Sequence, residues 1–520
     1  MDRRRLLATS GIALLGGIAG CARRNDQTPE PDPDEIVTRF ENVVHLVEEG
    51  ADDTGEEPIN DLVTEHVDDD TLLVLDEGRF ALEQLIVDDY SNFGITSVEG
   101  AMPKLVPAGT MEEVGEYWLV LHGEDIFFGG FEYDFTADRV CGRTQVIANG
   151  GGFEVFDIHV RGQVYQVTPF RFGVRDPNGV GNVRRVIDRD GARTGDRMSG
   201  LFVGAEHAGE LHFVDCEMWH FPSKGIYASN PGEDIPDAGG GEVHVEGGVF
   251  KNNNVGGIRI GSEGSTVRDV TFVVEDTLEG ENVTWEEPIP LLPPDGLSNT
   301  RGLRLKSGGS VLVEGCVFDY EIGSGDGVLT VAGSHGDSTV RNCWIRSESA
   351  DLSPVRLKSS SKPMDFESVS IVGTGGGVPA VRMVGRSGTA FRNCSIEACG
   401  EGKNGVELVR TDRCIFENTP IESEGLPVVF FEERRGEFSP YIHRLTIGRN
   451  GASEPPGYAV TVNERIIEAP EGAEVSNGRT VTGVLSEETA SITFAGQVAE
   501  LRFDGETEMC FEYVSQRNTP

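Results

Sequence analysis

Lysine is nearly missing from this chain. Its 520 residues contain seven lysines against 37 arginines, and 87 Asp and Glu side chains leave a formal net charge of −43. Self-repulsion on that scale strains a fold at ordinary salt. At molar salt the Debye length shrinks to ~3 Å and the repulsion mostly disappears. The composition therefore points to a protein adapted to extreme salinity, and the acidity says little about partners. Other absences narrow the class further. No CxxC pair suggests a metal site, although there are nine cysteines. No 3.6-residue period links the apolar stretches, which excludes a helical solenoid. Beyond the first twenty residues no apolar run is long enough to cross a bilayer. Disorder is excluded too, because apolar strand patterns recur along the whole chain.

What recurs is one short phrase. It reads Val267-Arg268-Asp269-Val270-Thr271-Phe272, then Val313-Glu314-Gly315-Cys316-Val317-Phe318, then Val340-Arg341-Asn342-Cys343-Trp344-Ile345. It returns from Phe366, Phe391 and Thr411, with looser copies from Val155, Val183, Phe213 and Val245. The period, about 20 to 32 residues, is that of a solenoid coil. Each copy is two period-2 stretches joined at Asp, Asn or Gly, residues that tolerate a left-handed bend. A third strand precedes each copy, as in Gly257-Ile258-Arg259-Ile260 and Pro354-Val355-Arg356-Leu357. Three strands per turn predict an all-β, right-handed parallel β-helix of about ten coils. Like positions then stack into columns ~4.8 Å apart.

Three columns follow. Phe272, Phe318, Ile345, Ile371, Ile396 and Phe416 are expected to share an inward slot. Cys216, Cys316, Cys343, Cys394 and Cys414 are expected in another, as small apolar fillers, while Cys141, Cys399 and Cys510 have no assigned place. Arg268, Glu314, Arg341, Glu367, Arg392 and Asp412 are expected to alternate in sign on the outside, as a salt-bridge ladder.

The ends differ from the middle. Arg3-Arg4-x-Leu6-Leu7 before a short apolar run resembles a twin-arginine export signal, and Ile18-Ala19-Gly20-Cys21 resembles a lipobox in which Cys21 is lipidated. Residues 1–21 are thus read as signal and lipobox, 22–34 as an acidic, Pro-rich tether, 35–150 as an N-terminal cap with the first coils, and 151–438 as the β-helix. Residues 439–520 alternate like antiparallel strands, as in Tyr458-Ala459-Val460-Thr461-Val462, and predict a small β domain closing the open end. The expected location is the outer face of the cytoplasmic membrane.

Gly50-Ala51-Asp52-Asp53-Thr54-Gly55, a short helical pattern after Pro58-Ile59-Asn60, and the strand from Thr71 to Phe80 resemble the entry of the pectate-lyase-like right-handed parallel β-helix superfamily. Thr54 precedes the glycine, and Asp76 stands where the family pattern has proline. In that family the strand before the pair that meets at the bend lines the substrate cleft. Its outward positions here are Tyr227, Arg259, Arg304, Leu329, Arg356, Arg382 and Glu407, and Lys306 and Lys358 point out two residues further on. Two of the seven lysines thus flank a column of arginines, against the composition of the chain. Arginine forks grip carboxylate or sulfate with paired hydrogen bonds, so the stripe suits an acidic polysaccharide. The resemblance implies β-elimination, with Arg304, Lys306, Arg356 and Lys358 as charge neutralisers and base, and with Tyr227, Arg259, Arg382 and Glu407 as substrate contacts. It also implies a calcium ion, for which Asp319, Glu321 and Asp326 are candidate ligands.

Two other readings stay open. One is a non-catalytic envelope or adhesion protein. It uses the same stripe, or none at all; in the plainer reading of the stripe, loop acids such as Asp319, Glu321, Asp326, Glu348 and Asp351 neutralise it as surface ion pairs. The other is a polysaccharide hydrolase. Ser334-His335-Gly336 and Arg356-Leu357-Lys358 echo two signatures of polygalacturonases, but the Asn-Thr-Asp and paired-Asp elements are missing. His335 is expected to be exposed in its Gly/Ser loop, and His220 is treated the same way. The insertion 275–300, with Trp285 and the sequon at Asn282, is expected to wall or cover the stripe. The expected partners are acidic glycan and, through Cys21, a membrane. Nucleic acid is not expected, and the chain is expected to be a monomer.

Overall fold

In the computed structural model, the described residues are 38–193, 198–229, 231, 236–275, 299–432, 441–449 and 455–516. The chain divides into two units, Met1–Glu41 and Asn42–Pro520, and the strands named below belong to the second. Cys21, the signal, the tether and positions 276–298 of the expected wall, Asn282 and Trp285 among them, lie outside the described residues.

The strands stack in parallel, coil upon coil. One inward column can be followed by register alone through Val44, Leu73, Ile95, Phe128, Val155, Val183 and Phe213. It continues through Val245, Val267, Val313, Val340, Phe366, Phe391 and Phe416. That makes fourteen windings among the described residues instead of about ten. The four additional ones lie before Val155. There the long strands Tyr117–Asp134 and Arg143–Arg161 run unbroken through successive faces of the coil, with their left-handed corners, Asp125 and Gly130, Gly151 and Asp157, inside them. A short helix, Asn60–His66, follows the expected entry turn, in which the Asp52 carboxylate accepts hydrogen bonds from the backbone N–H groups of Thr54, Glu56 and Glu57.

The bend of the repeated phrase is a second column. Gly130, Asp157, Arg185, Asp215, Gly247, Asp269, Gly315, Asn342, Ser368, Asn393 and Asn418 occupy it, and each has φ between 45° and 86°. This left-handed conformation turns the chain between two strand faces within one residue. Neighbouring bends also hold one another. Asn393 N–H donates to the Glu417 carbonyl at 2.8 Å, and the Asn418 side-chain amide donates to Asn393 Oδ1 at 3.1 Å.

The last winding departs from expectation. Its bend is Asn418, and the phrase from Thr411 to Phe416 sits at an earlier corner, where Arg410 and Arg413 are also left-handed. Three assignments therefore move. Phe416 pairs with Phe391, and the slot of Phe272, Phe318, Ile345, Ile371 and Ile396 ends at Ile421. Thr419 takes the place assigned to Cys414, and its hydroxyl accepts from Cys394 N–H at 3.2 Å. Glu417, opposite Arg392, replaces Asp412 in the charge ladder. Cys216, Cys316, Cys343, Cys394 and Cys414 are all buried and free. Burial pushes the Cys216 thiol up to about 12, as fits an apolar filler.

Columns of aromatic rings stiffen the core. Phe272 and Phe318 stack at 4.5 Å, Phe366 and Phe391 at 4.5 Å, and Phe391 and Phe416 at 5.3 Å. Such pairs contribute roughly 0.5–1.5 kcal/mol each beyond their burial. At the C-terminal end the strands turn antiparallel. Thr507–Gln516 pairs with Cys414–Glu417, and Val498 pairs with Val428. These strands occupy backbone edges of the last coil that would otherwise stay open.

Candidate functional site: a cationic row

The third strand of each coil, the one preceding the pair that meets at the bend, carries the row. Register places Tyr227 opposite Arg259, Arg259 opposite Arg304, Arg304 opposite Thr330, Thr330 opposite Arg356, Arg356 opposite Arg382, and Arg382 opposite Glu407. Apolar neighbours such as Ile258, Ile260, Leu303 and Leu305 point into the core, which turns the intervening arginines outward. The sequence-based slot is wrong at one point: Thr330, not Leu329, faces outward, and Leu329 packs between Leu303 and Val355. Gly327 and Val328 belong to the loop before the strand, which displaces the pattern by one residue. Lys306 and Lys358 follow Leu305 and Leu357, which both flank Val331, so the two lysines lie two windings apart on one side of the row.

The arginines are half-buried. Nε of Arg259, Arg304 and Arg356 is buried without a hydrogen-bond acceptor. The Arg259 guanidinium lies over the Tyr227 ring at 4.7 Å, and Lys224 Nζ lies 4.8 Å from the same ring. Such contacts are worth about 0.5–2 kcal/mol. Burial, then the positive charges of Arg301 and Arg259, pushes the Arg304 pKa down. Two like charges ~5 Å apart repel by roughly 3 kcal/mol at an effective dielectric of about 20. The row is therefore costly as it stands.

Two acids answer it, Glu407 at its end, 3.9 Å from Arg382, and Asp326 in its middle. Asp326, in the loop beside the Thr330 gap, accepts from Arg301 Nη2 at 2.6 Å and Lys358 Nζ at 2.7 Å, and lies 3.6 Å from Arg356 Nη1. Burial alone raises its pKa, but the Lys358 and Arg301 donors outweigh that and bring it down to about 2. Asp319 and Glu348 instead pair with Arg346, on a different strand. The expected neutralisation by loop acids thus reduces, among these pairs, to Asp326.

The same geometry bears on calcium. Both Asp326 oxygens face cations and Asp319 is engaged by Arg346, so Asp319, Glu321 and Asp326 do not fit a calcium ion. Glu407 does not fit its expected role as a substrate contact either. It is 0% exposed, opposite the buried Val429 and 3.9 Å from Arg382, where Val409, Val429 and Phe431 form an apolar cluster on the outer side of the last strands. It closes the row rather than presenting to solvent.

His335 is buried, not exposed. Its Nδ1 lies 2.6 Å from the Ser307 carbonyl and its Nε2 lies 2.8 Å from Ser338 Oγ, and burial pushes its pKa down to about 4. His220 is buried as well. Neither is a free acid or base for hydrolysis. Two residues that the repeat pattern did not point to are central. Arg301, 2% exposed, ties Asn299, Val255 and Asp326 together three residues before Arg304. Arg386, 0% exposed, donates to the carbonyls of Ala332, His335, Gly336, Lys358 and Lys362, and so pins the backbone behind Lys358. Both sit in loops outside the strand period, so no periodic signal marks them.

The fold and this row define a parallel β-helix with a positively charged stripe on one sheet. No protein-family model and no curated protein matches the chain. Solved structures of similar outline include the A-module of a mannuronan C-5 epimerase of Azotobacter vinelandii. It is 12% identical, covers 76% of this chain and 98% of its own, and has a TM-score of 0.40. A tailspike of an Acinetobacter baumannii bacteriophage, titled a capsular polysaccharide depolymerase, is 10% identical over 91% of this chain and 86% of its own, with a TM-score of 0.29. A tailspike mutant of an E. coli bacteriophage in complex with a pentasaccharide is 10% identical over 95% and 97%, with a TM-score of 0.31. Scores below 0.5 carry no argument about this chain, whose fold rests on the registers above.

Proposed function

We propose that this chain binds an acidic polysaccharide along the row from Tyr227 to Arg382, as an exported protein anchored by a lipid on Cys21. One observation carries the reading. Arg259, Arg304, Arg356 and Arg382 share a single register column in a chain of net charge −43, with Lys306 and Lys358 beside them. A row of half-desolvated cations gains most from a ligand that brings a negative charge at regular intervals. High salt screens long-range attraction and leaves contact geometry to select the ligand. The export motif and lipobox, Arg3-Arg4 and Cys21, support the location.

The test is binding of uronate and sulfated polymers against neutral glycans in molar salt. Selective binding that Arg304→Ala with Arg356→Ala abolishes supports the reading. Equal binding by that double variant sinks it. A Cys21→Ser chain that stays with the membrane fraction sinks the anchor.

β-Elimination in the bound polymer is a second reading, favoured by the lowered pKa of Arg304. The cations of the row can neutralise the uronate carboxylate and so acidify the neighbouring proton, with Arg304 as the candidate base. Lys358, which donates to Asp326 at 2.7 Å, acts as a neutraliser. Absorbance of an unsaturated product with any uronate polymer supports this reading, and its absence with all of them leaves a binding protein.

A further inference from the structure

A different strand of the coil carries a second constellation. Glu210-Leu211-His212 and Glu242-Val243-His244 repeat one winding apart. Register sets Glu210 against Glu242 and His212 against His244, with Leu211 and Val243 turned into the core. All four polar side chains therefore share one outer face of the Glu210–Val214 and Glu242–Glu246 strands. The imidazole rings stack at 4.7 Å. One ligand atom from each of Glu210, His212 and His244 lies within 4.8 Å of the other two, the only such group of three among the described residues.

We propose that Glu210, His212 and His244 bind a divalent transition-metal ion of the zinc class, linking two neighbouring coils. The spacings fit. His212 Nε2 lies 3.5 Å from Glu210 Oε2, and His244 Nε2 lies 3.4 Å from Glu242 Oε2. Bond lengths of ~2.0–2.1 Å put the ligand atoms of a tetrahedral zinc site ~3.3 Å apart. Two imidazoles select zinc, cobalt, nickel or copper over calcium and magnesium.

The surroundings are built to aim the ligands. Thr266 Oγ1 lies 3.0 Å from His244 Nδ1 and leaves Nε2 facing the carboxylates. His207, buried behind the strand, accepts from Val174 N–H at Nδ1 and donates from Nε2 to the Glu242 carbonyl at 2.9 Å, which fixes the backbone under the site. Glu242 lies near His244 but outside the group of mutually close ligand atoms, so a water takes the fourth position. Nothing here depends on the cationic row.

The experiment uses the full chain, freed of metal by a chelator and titrated with Co²⁺ in molar salt with excess Ca²⁺ to occupy surface carboxylates. One equivalent should bind with visible d–d absorption, and Zn²⁺ should displace it. His212→Ala and His244→Ala should each weaken uptake at least tenfold. Glu210→Gln, at an exposed position, should weaken it without disturbing the far-ultraviolet dichroism, which keeps the test valid if a histidine variant misfolds. No saturable uptake, or uptake by Glu210→Gln and both histidine variants equal to the parent chain, overturns the proposal.

Discussion

Two outer faces of the same coils handle charge in opposite ways. On the strand before the bend, Glu246, Arg268, Glu314, Arg341, Glu367, Arg392 and Glu417 alternate in sign along one column. The ladder neutralises itself: Arg341 donates to Glu314 at 2.8 Å, and Arg392 pairs with Glu417 at 3.2 Å. On the third strand, at the same spacing, four arginines and Thr330 follow one another, and Asp326 reaches in from a loop to offset part of the repulsion. The contrast teaches where a ligand fits. A column that satisfies itself has nothing to gain from an anion, whereas a column left in net excess does.

The sharpest way to break the contrast is Arg386→Ala. It removes a buried cation that donates to five carbonyls, leaving them short of partners behind Lys358. A loss of about 3 kcal/mol in denaturant unfolding is expected. Asp326→Asn comes next. The half-buried carboxylate answers Arg301, Arg356 and Lys358, and its removal should cost about 1–2 kcal/mol after solvent screening. Its folded pKa, about 2, lies below the unfolded value of 3.8. Its stabilisation is therefore fully present above pH 4 and is lost as the pH falls from 4 towards 2. Asp326→Asn should lack that segment of the pH–stability curve, as measured by unfolding at fixed salt.

A smaller effect belongs to the row itself. Arg304→Ala with Arg356→Ala should weaken polyuronate binding at least tenfold, or about 1.4 kcal/mol, without lowering the unfolding midpoint, because the row repels itself. The smallest belongs to the ladder. Arg341→Ala should cost about 0.5 kcal/mol or less and leave polymer binding unchanged. If the ladder variant weakens binding as much as the row variant does, the two faces are not different in kind.

Much of the fold was legible in the amino-acid order. The bend residues Asp269, Gly315, Asn342 and Asn393 announced left-handed corners, and Phe272 and Phe318 announced a shared slot. The coils before Val155 were not legible, because strands such as Tyr117–Asp134 run on through their corners at Asp125 and Gly130, and the repeated phrase is absent there. Nor was the last winding, because Thr411 to Phe416 imitates the phrase at the wrong corner. At the site, the column of Arg259, Arg304, Arg356 and Arg382 was readable from period-2 alternation, whereas Thr330, the burial of Glu407 and the reach of Asp326 were not. Loop geometry decides those, and loops carry no period.

Order along the chain alone determined that these segments stack, which side chains of each strand face in, and that arginines recur on one outer position. These properties follow from local alternation and from residues that tolerate a left-handed backbone. Only the tertiary structure decided which coil lies on which, and so that Arg301 and Asp326 meet Lys358, that Arg386 gathers five carbonyls, and that His212 lies on His244. Such meetings join residues a winding or more apart through loops of unequal length, and a one-residue difference in a loop moves every side chain after it to the opposite face.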